Sequence, residues 1–497
     1  MLQGTRTKGD FPPAAGSPTG STWRRPQAKL PSSGFLSVRP LALDPRGPMT
    51  ARGESKTEVW KGSMEKVESA PESPRLARFA RDSSRKGAPA LERAWNALTR
   101  DGLPLIETVP RAKSESLVTF VWRPKERVST ASVYTWVVPY SPEGTALRPL
   151  GRTGVWYRSY RLSNRTRASY GFAGRLLPAL TDPGPAWGRY FKSLGADPLN
   201  PRQVRVGPSS FLSETALPGA PAQPWSSHDE PLGWREERRS FRSRLLRNTR
   251  TVWVDLPPRF RAGRRSYNLL IVFDGPAYQD PIPTRRIVGN LVAAGRIGPT
   301  VVVLVDNAPG ARDRDLGQNP AFPKFLAQEL LPWLRRLYRV RAEPTRIVLA
   351  GSSMGGVAAV YAAYRYPGRF GAVLAQSGAF LAPIMGGTAE GPTLMERLAR
   401  APPRPTRFYL DAGTHETIVP PREVGSLLGG ARHMRDVLVS RGYQLRYAEF
   451  EGGHDYACWR GTLADGLLFL LGTKRAQSSP PSMRPRRVRR APGPARR

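Results

Sequence analysis

The chain has 497 residues, enough for two or three domains with a large core. Its formal net charge is +38, from 77 Lys and Arg against 39 Asp and Glu, which suits nucleic acid, an anionic membrane or an anionic small molecule. No arginine–aromatic interleaving, zinc-ligand spacing or helix-turn-helix pattern accompanies that charge, so no nucleic acid partner is expected. No apolar run approaches the roughly 20 residues of a membrane span. A single cysteine, Cys458, rules out an intramolecular disulfide and a cysteine metal cluster. With no apolar signal region near its start, the expected location is cytoplasmic.

Residues 1–86 are rich in Pro, Gly, Ser and Arg without sustained periodicity, and read as a disordered basic extension. Residues 90–99 carry Leu91, Trp95 and Leu98 at helical spacing. From 117 to 172 the pattern changes to short β-branched and aromatic runs, 117–122, 131–137 and 155–162, broken by Pro, Gly and Asn. Such runs predict a small antiparallel, immunoglobulin-like sandwich, with Trp156 in its core and one wall free to face a substrate cleft. The sandwich and a Pro-rich connector over about 195–235 make a domain of residues 87–235.

An α/β domain is expected over 236–472. Its first strands are 251–256 and 267–273, and the second runs into Asp274-Gly275-Pro276-Ala277. A helix over 285–294, a buried strand over 300–306 and a helix over 322–338 follow. Alternating strands and helices with short links predict a mainly parallel three-layer sheet. The tail from 473 carries nine Lys and Arg and no acid, and reads as disordered.

The most informative run joins an apolar strand, 347–350, to Gly351-Ser352-Ser353-Met354-Gly355 and a small-residue helix. Strand, sharp turn and helix around G-x-S-x-G form a nucleophile elbow, which makes Ser353 the candidate nucleophile. Glycines on both sides leave room where a Cβ would clash. The N–H of Met354 is one candidate oxyanion donor. The loop after strand 267–273 supplies the second, and because Pro276 has no N–H the donor is Gly275 or Ala277.

A serine nucleophile needs a base and an orienting acid, in the chain order Ser, acid, His. Of the four histidines, His454 sits in Glu451-Gly452-Gly453-His454-Asp455 after a strand-like 445–450, where a Gly-rich loop lets it reach the serine. His433 falls within a helical stretch, His228 in a polar linker, and His415 upstream of the expected base position. The acid belongs on the strand and exit loop 408–416, where Asp411 and Glu416 compete. A loop position gives more reach to Nδ1 of His454, which favours Glu416 and leaves Asp411 as the alternative. Asp455 reads as structural.

With these pieces placed, the chain resembles the enterochelin (enterobactin) esterases over about residues 88–472. Gly452-Gly453-His454-Asp455-x-x-Cys458-Trp459-Arg460-Gly461 is the most specific match. Phe273-Asp274-Gly275, Gln376-Ser377-Gly378, Val155-Trp156-Tyr157 and Asp197-Pro198-Leu199-Asn200-Pro201 add to it. The resemblance implies an α/β-hydrolase fold behind an N-terminal sandwich and hydrolysis of the trilactone of a ferric catecholate siderophore, with Glu416 at the family's acid position. Pro276 departs from the polar residue usual after the Asp-Gly pair. An anionic substrate is favoured by arginines near the cleft, and Arg312, Arg314 and Arg460 are the candidates. Neither cofactor nor metal is required by the chemistry, because the iron arrives with the substrate.

Overall fold

The computed structural model describes residues 73–83, 88–179, 184–263, 267–340, 343–381, 392–417 and 426–473. The expectations for 1–72 and for the tail from 474 therefore lie outside the described residues.

The first half is a sandwich of two four-stranded sheets. Its strands are β1 (Leu105–Thr108), β2 (Glu115–Trp122), β3 (Ser132–Thr135), β4 (Arg148–Pro149), β5 (Trp156–Ser163), β6 (Arg167–Ala173), β7 (Gln203–Arg205) and β8 (Phe211–Ala216). They pair antiparallel in the orders β1-β2-β5-β4 and β3-β6-β8-β7. Inward residues of both sheets, among them Val118, Phe120, Val133, Tyr170 and Phe172, share one core, against which Trp156 packs. Burying such alternate residues is what pins the register.

A helix, Pro74–Ser83, lies within the segment that composition assigns to the extension. It forms because Leu76 and Phe79 share one face and bury against Ala94, Leu98, Leu103 and Leu105. Ten residues are too few to be helical alone, so this tertiary contact decides the matter. The predicted 90–99 helix spans Ala88–Thr99.

The second half holds an eight-stranded sheet of β9 (Arg235–Ser243), β10 (Asn248–Leu256), β11 (Asn268–Phe273), β12 (Thr300–Val305), β13 (Ile347–Ser352), β14 (Ala372–Gln376), β15 (Arg407–Gly413) and β16 (Gln444–Phe450). Its order is β16-β15-β14-β13-β11-β12-β10-β9. Strands β11 to β16 are parallel to one another, while β10 runs antiparallel to both β12 and the edge strand β9. Leu269, Ile271, Val303 and Leu349 face one helical layer, whereas Leu270, Val272, Val302 and Val348 face the other. Both faces are covered, hence the near-continuous apolar runs that mark these strands in the sequence.

The predicted 322–338 helix is a helix Ala321–Lys324, a π-turn Phe325–Leu330 and a helix Leu331–Tyr338 in unbroken succession. Pro332 has no N–H to give the preceding turn, and the wider turn, with Leu331 N–H bonded to the Leu326 carbonyl, absorbs it.

Sandwich and sheet are tied at the base loop. The Asp455 carboxylate caps the helix Tyr456–Leu471 through the Ala457 amide and also accepts from the Ser169 amide and hydroxyl on β6. Arg167 and Arg460 clamp Glu214 from the two sides. Burial disfavours the ionised Glu214, but the two guanidinium groups outweigh it and hold its carboxyl below the ordinary value.

Candidate active site

All the sequence-selected chemistry leaves the carboxyl ends of the parallel strands, where an open α/β sheet binds ligands. Ser353 stands between β13 and the helix Met354–Arg365 at φ 56°, ψ −122°, a strained conformation for a residue with a Cβ. Its N–H donates to the Gln376 carbonyl at 2.9 Å, and its carbonyl accepts from Gly356 and Ala379. A Cβ on Gly351 would sit 2.7 Å from the backbone of Gly355, so glycine there is a condition of the turn. Met354, at the first helical position, keeps an N–H that no helical carbonyl accepts.

His454 reaches the same cavity, a cleft of about 890 Å³ that Ser353 also lines. Its Nδ1 lies 3.0 Å from Glu416 Oε2. Glu416 is fully buried, and its other oxygen, Oε1, accepts from the Ser377 hydroxyl at 2.6 Å and the Gly413 amide at 2.8 Å. Two donors on Oε1 fix the carboxylate so that Oε2 is aimed at the imidazole. Ser377 is itself oriented by Trp459, whose Nε1 donates to its Oγ at 2.9 Å. The Trp459 ring also meets His454 edge to face at 4.7 Å. Acid and base loops are stitched by Thr414 N–H to the Phe450 carbonyl and His415 N–H to the Gly452 carbonyl.

Asp411, the alternative acid, is buried on β15, and its Oδ1 accepts from the Ser377 amide at 3.1 Å. Burial pushes its carboxyl up to about 8, so it is the weaker anion at neutral pH and faces Ser377 instead of the imidazole. Of the other histidines, His433 and His228 are exposed and none of the three lines the cleft. His415 is half-buried, and burial lowers its pKa.

Of the two candidates for a second oxyanion donor, one is engaged elsewhere. The Ala277 N–H donates to the Asp274 carbonyl at 2.9 Å, so it is committed to the turn and is set aside. Gly275 remains, packed so closely on Trp253 that a Cβ would lie 2.8 Å from the ring. Before it, Asp274 adopts φ 56° and binds Arg312 through both carboxylate oxygens, at 2.7 and 2.8 Å, with Asn307 adding a third bond. This ion pair holds the strand exit carrying Gly275.

The opposite wall comes from the sandwich. Tyr134 and Trp136 line the cleft, and Trp136 packs 5.5 Å from the His454 ring. Trp136 is stacked on Tyr140, and Tyr140 on Trp187, giving an aromatic file that leads away from the base. The sequence pointed to a sandwich wall, but Trp136 and Ser377 escaped selection because nothing local links them to His454.

Two family models cover both halves: "Enterochelin esterase, N-terminal" matches residues 117–226 and "Putative esterase" matches 243–470. The iron(III) enterobactin esterase of Dickeya dadantii is 30% identical over 419 residues, covering 76% of this chain and 92% of that protein. The chain belongs to the enterobactin esterase family. The iron(III) salmochelin esterase of Escherichia coli O6:H1 is 28% identical, with 76% and 93% covered. Among solved structures, the ferric enterobactin esterase of Salmonella typhimurium matches with a TM-score of 0.64 at 28% identity, over 76% of this chain and 98% of that one. The enterobactin esterase of Shigella flexneri, crystallised in the presence of enterobactin, matches with a TM-score of 0.63 at 26% identity, with 76% and 97% covered.

The arginines selected for an enterobactin esterase's anionic ligand separate in the fold. Arg312 lines the cleft, though bound to Asp274. Arg314 does not line it and instead pairs with Asp315 at 2.8 Å. Arg460 is also absent from the cleft wall, because Glu214 and Gln223 hold it at the junction with the sandwich. Both are corrections to the sequence reading as cleft contacts: Arg314 turns to the adjacent Asp315, and Arg460 to Glu214, an acid far away in sequence. Among the described residues, no helix is long and apolar enough to cross a membrane.

Proposed function

We propose that this chain is a serine esterase that opens the trilactone of a ferric catecholate siderophore such as enterobactin, acting in the cytoplasm on the imported complex. The reading is supported above all by His454, which shares the cleft with Ser353 while its Nδ1 is held 3.0 Å from the buried Glu416. In this reading His454 Nε2 takes the Ser353 proton as Oγ attacks the lactone carbonyl. Glu416 stabilises the imidazolium, and the N–H groups of Met354 and Gly275 receive the oxyanion. His454 then protonates the leaving serine hydroxyl of the substrate, and water, activated by the same base, releases the acyl group. Iron is cargo in this chemistry. Arg312 acts by holding the Gly275 turn and by lending positive charge to the cleft. Residues 87–235 are read as the domain that shapes the cleft and 236–472 as the domain that carries the triad.

The test is incubation with ferric enterobactin, with products followed by chromatography and mass, beside Ser353→Ala. Stepwise linear trimer, dimer and monomer are expected, with at least a 10,000-fold or so loss in the alanine variant. An intact trilactone alongside cleavage of a simple activated ester would assign the site to a different ester.

A further inference from the structure

A second cavity of about 570 Å³ adjoins the active-site cleft. The two share Arg205, Gln279, Asp280 and Pro281 in their walls, so they meet at the ion pair between Arg205 on β7 and Asp280, 2.5 Å apart. Six arginines line this annex, from the sandwich (Arg167, Arg202, Arg205) and from the α/β half (Arg285, Arg286, Arg460), against three carboxylates, Glu214, Glu230 and Asp280.

The carboxylates are already engaged. Glu214 is shared by Arg167 and Arg460, Glu230 pairs with Arg285 at 2.6 Å, and Asp280 with Arg205. Among the described residues, Arg202 and Arg286 form no ion pair with a carboxylate, and the buried Arg286 Nε has no hydrogen-bond acceptor. Arg285 also reaches Glu236 at 3.0 Å and Asp255 at 3.5 Å, so it is Arg202 and Arg286, concave-lining and without an acid partner, that leave a positive potential an anion relieves. A guanidinium also suits flat, oxygen-rich anions through its fork of donors.

We propose that the annex is the subsite for the iron–catecholate head of the substrate, with the trilactone presented to Ser353 on the other side of the Arg205–Asp280 bridge. This rests on the siderophore reading above. Three doubly ionised catecholates around one ferric ion form a trianion, which the guanidinium groups of Arg202 and Arg286 are free to attract. The same molecule without iron carries protonated phenols near neutral pH and gains little from that field. The annex therefore selects the iron-loaded form over the iron-free trilactone.

Arg202→Gln combined with Arg286→Gln tests the assignment. The parent's turnover of ferric enterobactin tests the siderophore reading itself, and the ratio of variant to parent tests the annex. At low ionic strength the KM for the ferric complex is expected to rise on the order of tenfold, with kcat little changed. The KM for iron-free enterobactin and the hydrolysis of p-nitrophenyl butyrate should stay within about twofold. Added salt should narrow the gap between parent and variant, and Arg202→Lys with Arg286→Lys should restore most of the affinity. An unchanged ferric KM in the Gln variant would overturn the proposal. So would an equal rise for the iron-free trilactone, since that would mean lost packing instead of lost charge.

Discussion

Ser353, Glu416 and His454 all leave the carboxyl ends of β13, β15 and β16, whereas the wall that faces them, with Tyr134, Trp136 and Arg205, belongs to the sandwich. The two halves are built differently for these tasks. In the α/β half both sheet faces are buried, and each functional side chain sits on a short loop stitched to its neighbour by backbone hydrogen bonds. In the sandwich one rim turns aromatic rings and Arg205 toward the cleft. A rigid parallel sheet fixes atoms to the tolerance that proton transfer needs, while a sandwich rim can vary in shape and charge without disturbing it. On the proposed function, the difference teaches that chemistry and recognition are separated along the chain and rejoined through Asp455, which caps the helix after His454 and holds Ser169 of the sandwich at once.

The strongest way to break that division is at the acid. Glu416→Gln should lower kcat by roughly a thousand- to ten-thousand-fold on any ester, because the imidazolium loses its charged partner. Asp411→Asn should cost less than about tenfold, since Asp411 bonds Ser377 instead of the imidazole. Equal losses, measured side by side on p-nitrophenyl butyrate, would make the pair act as one unit and refute the assignment of Glu416 alone.

A smaller effect sharpens the contribution of the sandwich. Trp136→Ala should lower kcat/KM for ferric enterobactin by on the order of tenfold, by removing an aromatic wall. The small ester should stay within about threefold, because Glu416 and Trp459 hold His454 from the other side. If both substrates fell together, the sandwich would share in positioning the base.

The mildest expected effect is thermodynamic. Burial raises the Asp411 carboxyl to about 8 in the folded protein, against an ordinary value near 4 in the unfolded chain. Between those values the folded state retains a proton that the unfolded state has released, so stability from this group falls as pH rises from about 4 to 8. Asp411→Asn removes the titration. Denaturant unfolding at pH 5 and pH 8 should therefore show the parent losing more stability across the interval than the variant, and identical pH dependence would show that Asp411 does not titrate there.

Much of this was legible in the residues. The elbow around Ser353, the Gly-rich base loop and the narrowing of the acid to Asp411 or Glu416 are local patterns, because a sharp turn and a strand exit are dictated within a few residues. Near-continuous apolar runs placed the parallel strands, since both faces of that sheet are covered. The composition of the first 86 residues misled at 74–83, where Leu76 and Phe79 become helical only by burying against Leu98 and Leu105. Arg314 and Arg460 looked as available as Arg312, yet Asp315 and Glu214 take them away from the cleft. Ser377 and Trp136 meet the catalytic group only through contacts across long sequence separations. Sequence by itself determined which residue types sit on which turns, because backbone conformation and side-chain periodicity are local. The tertiary structure alone decided which carboxylate faces the imidazole, which arginines stay unpaired and how the two halves enclose the cleft, because distance in space depends on the packing of the whole chain.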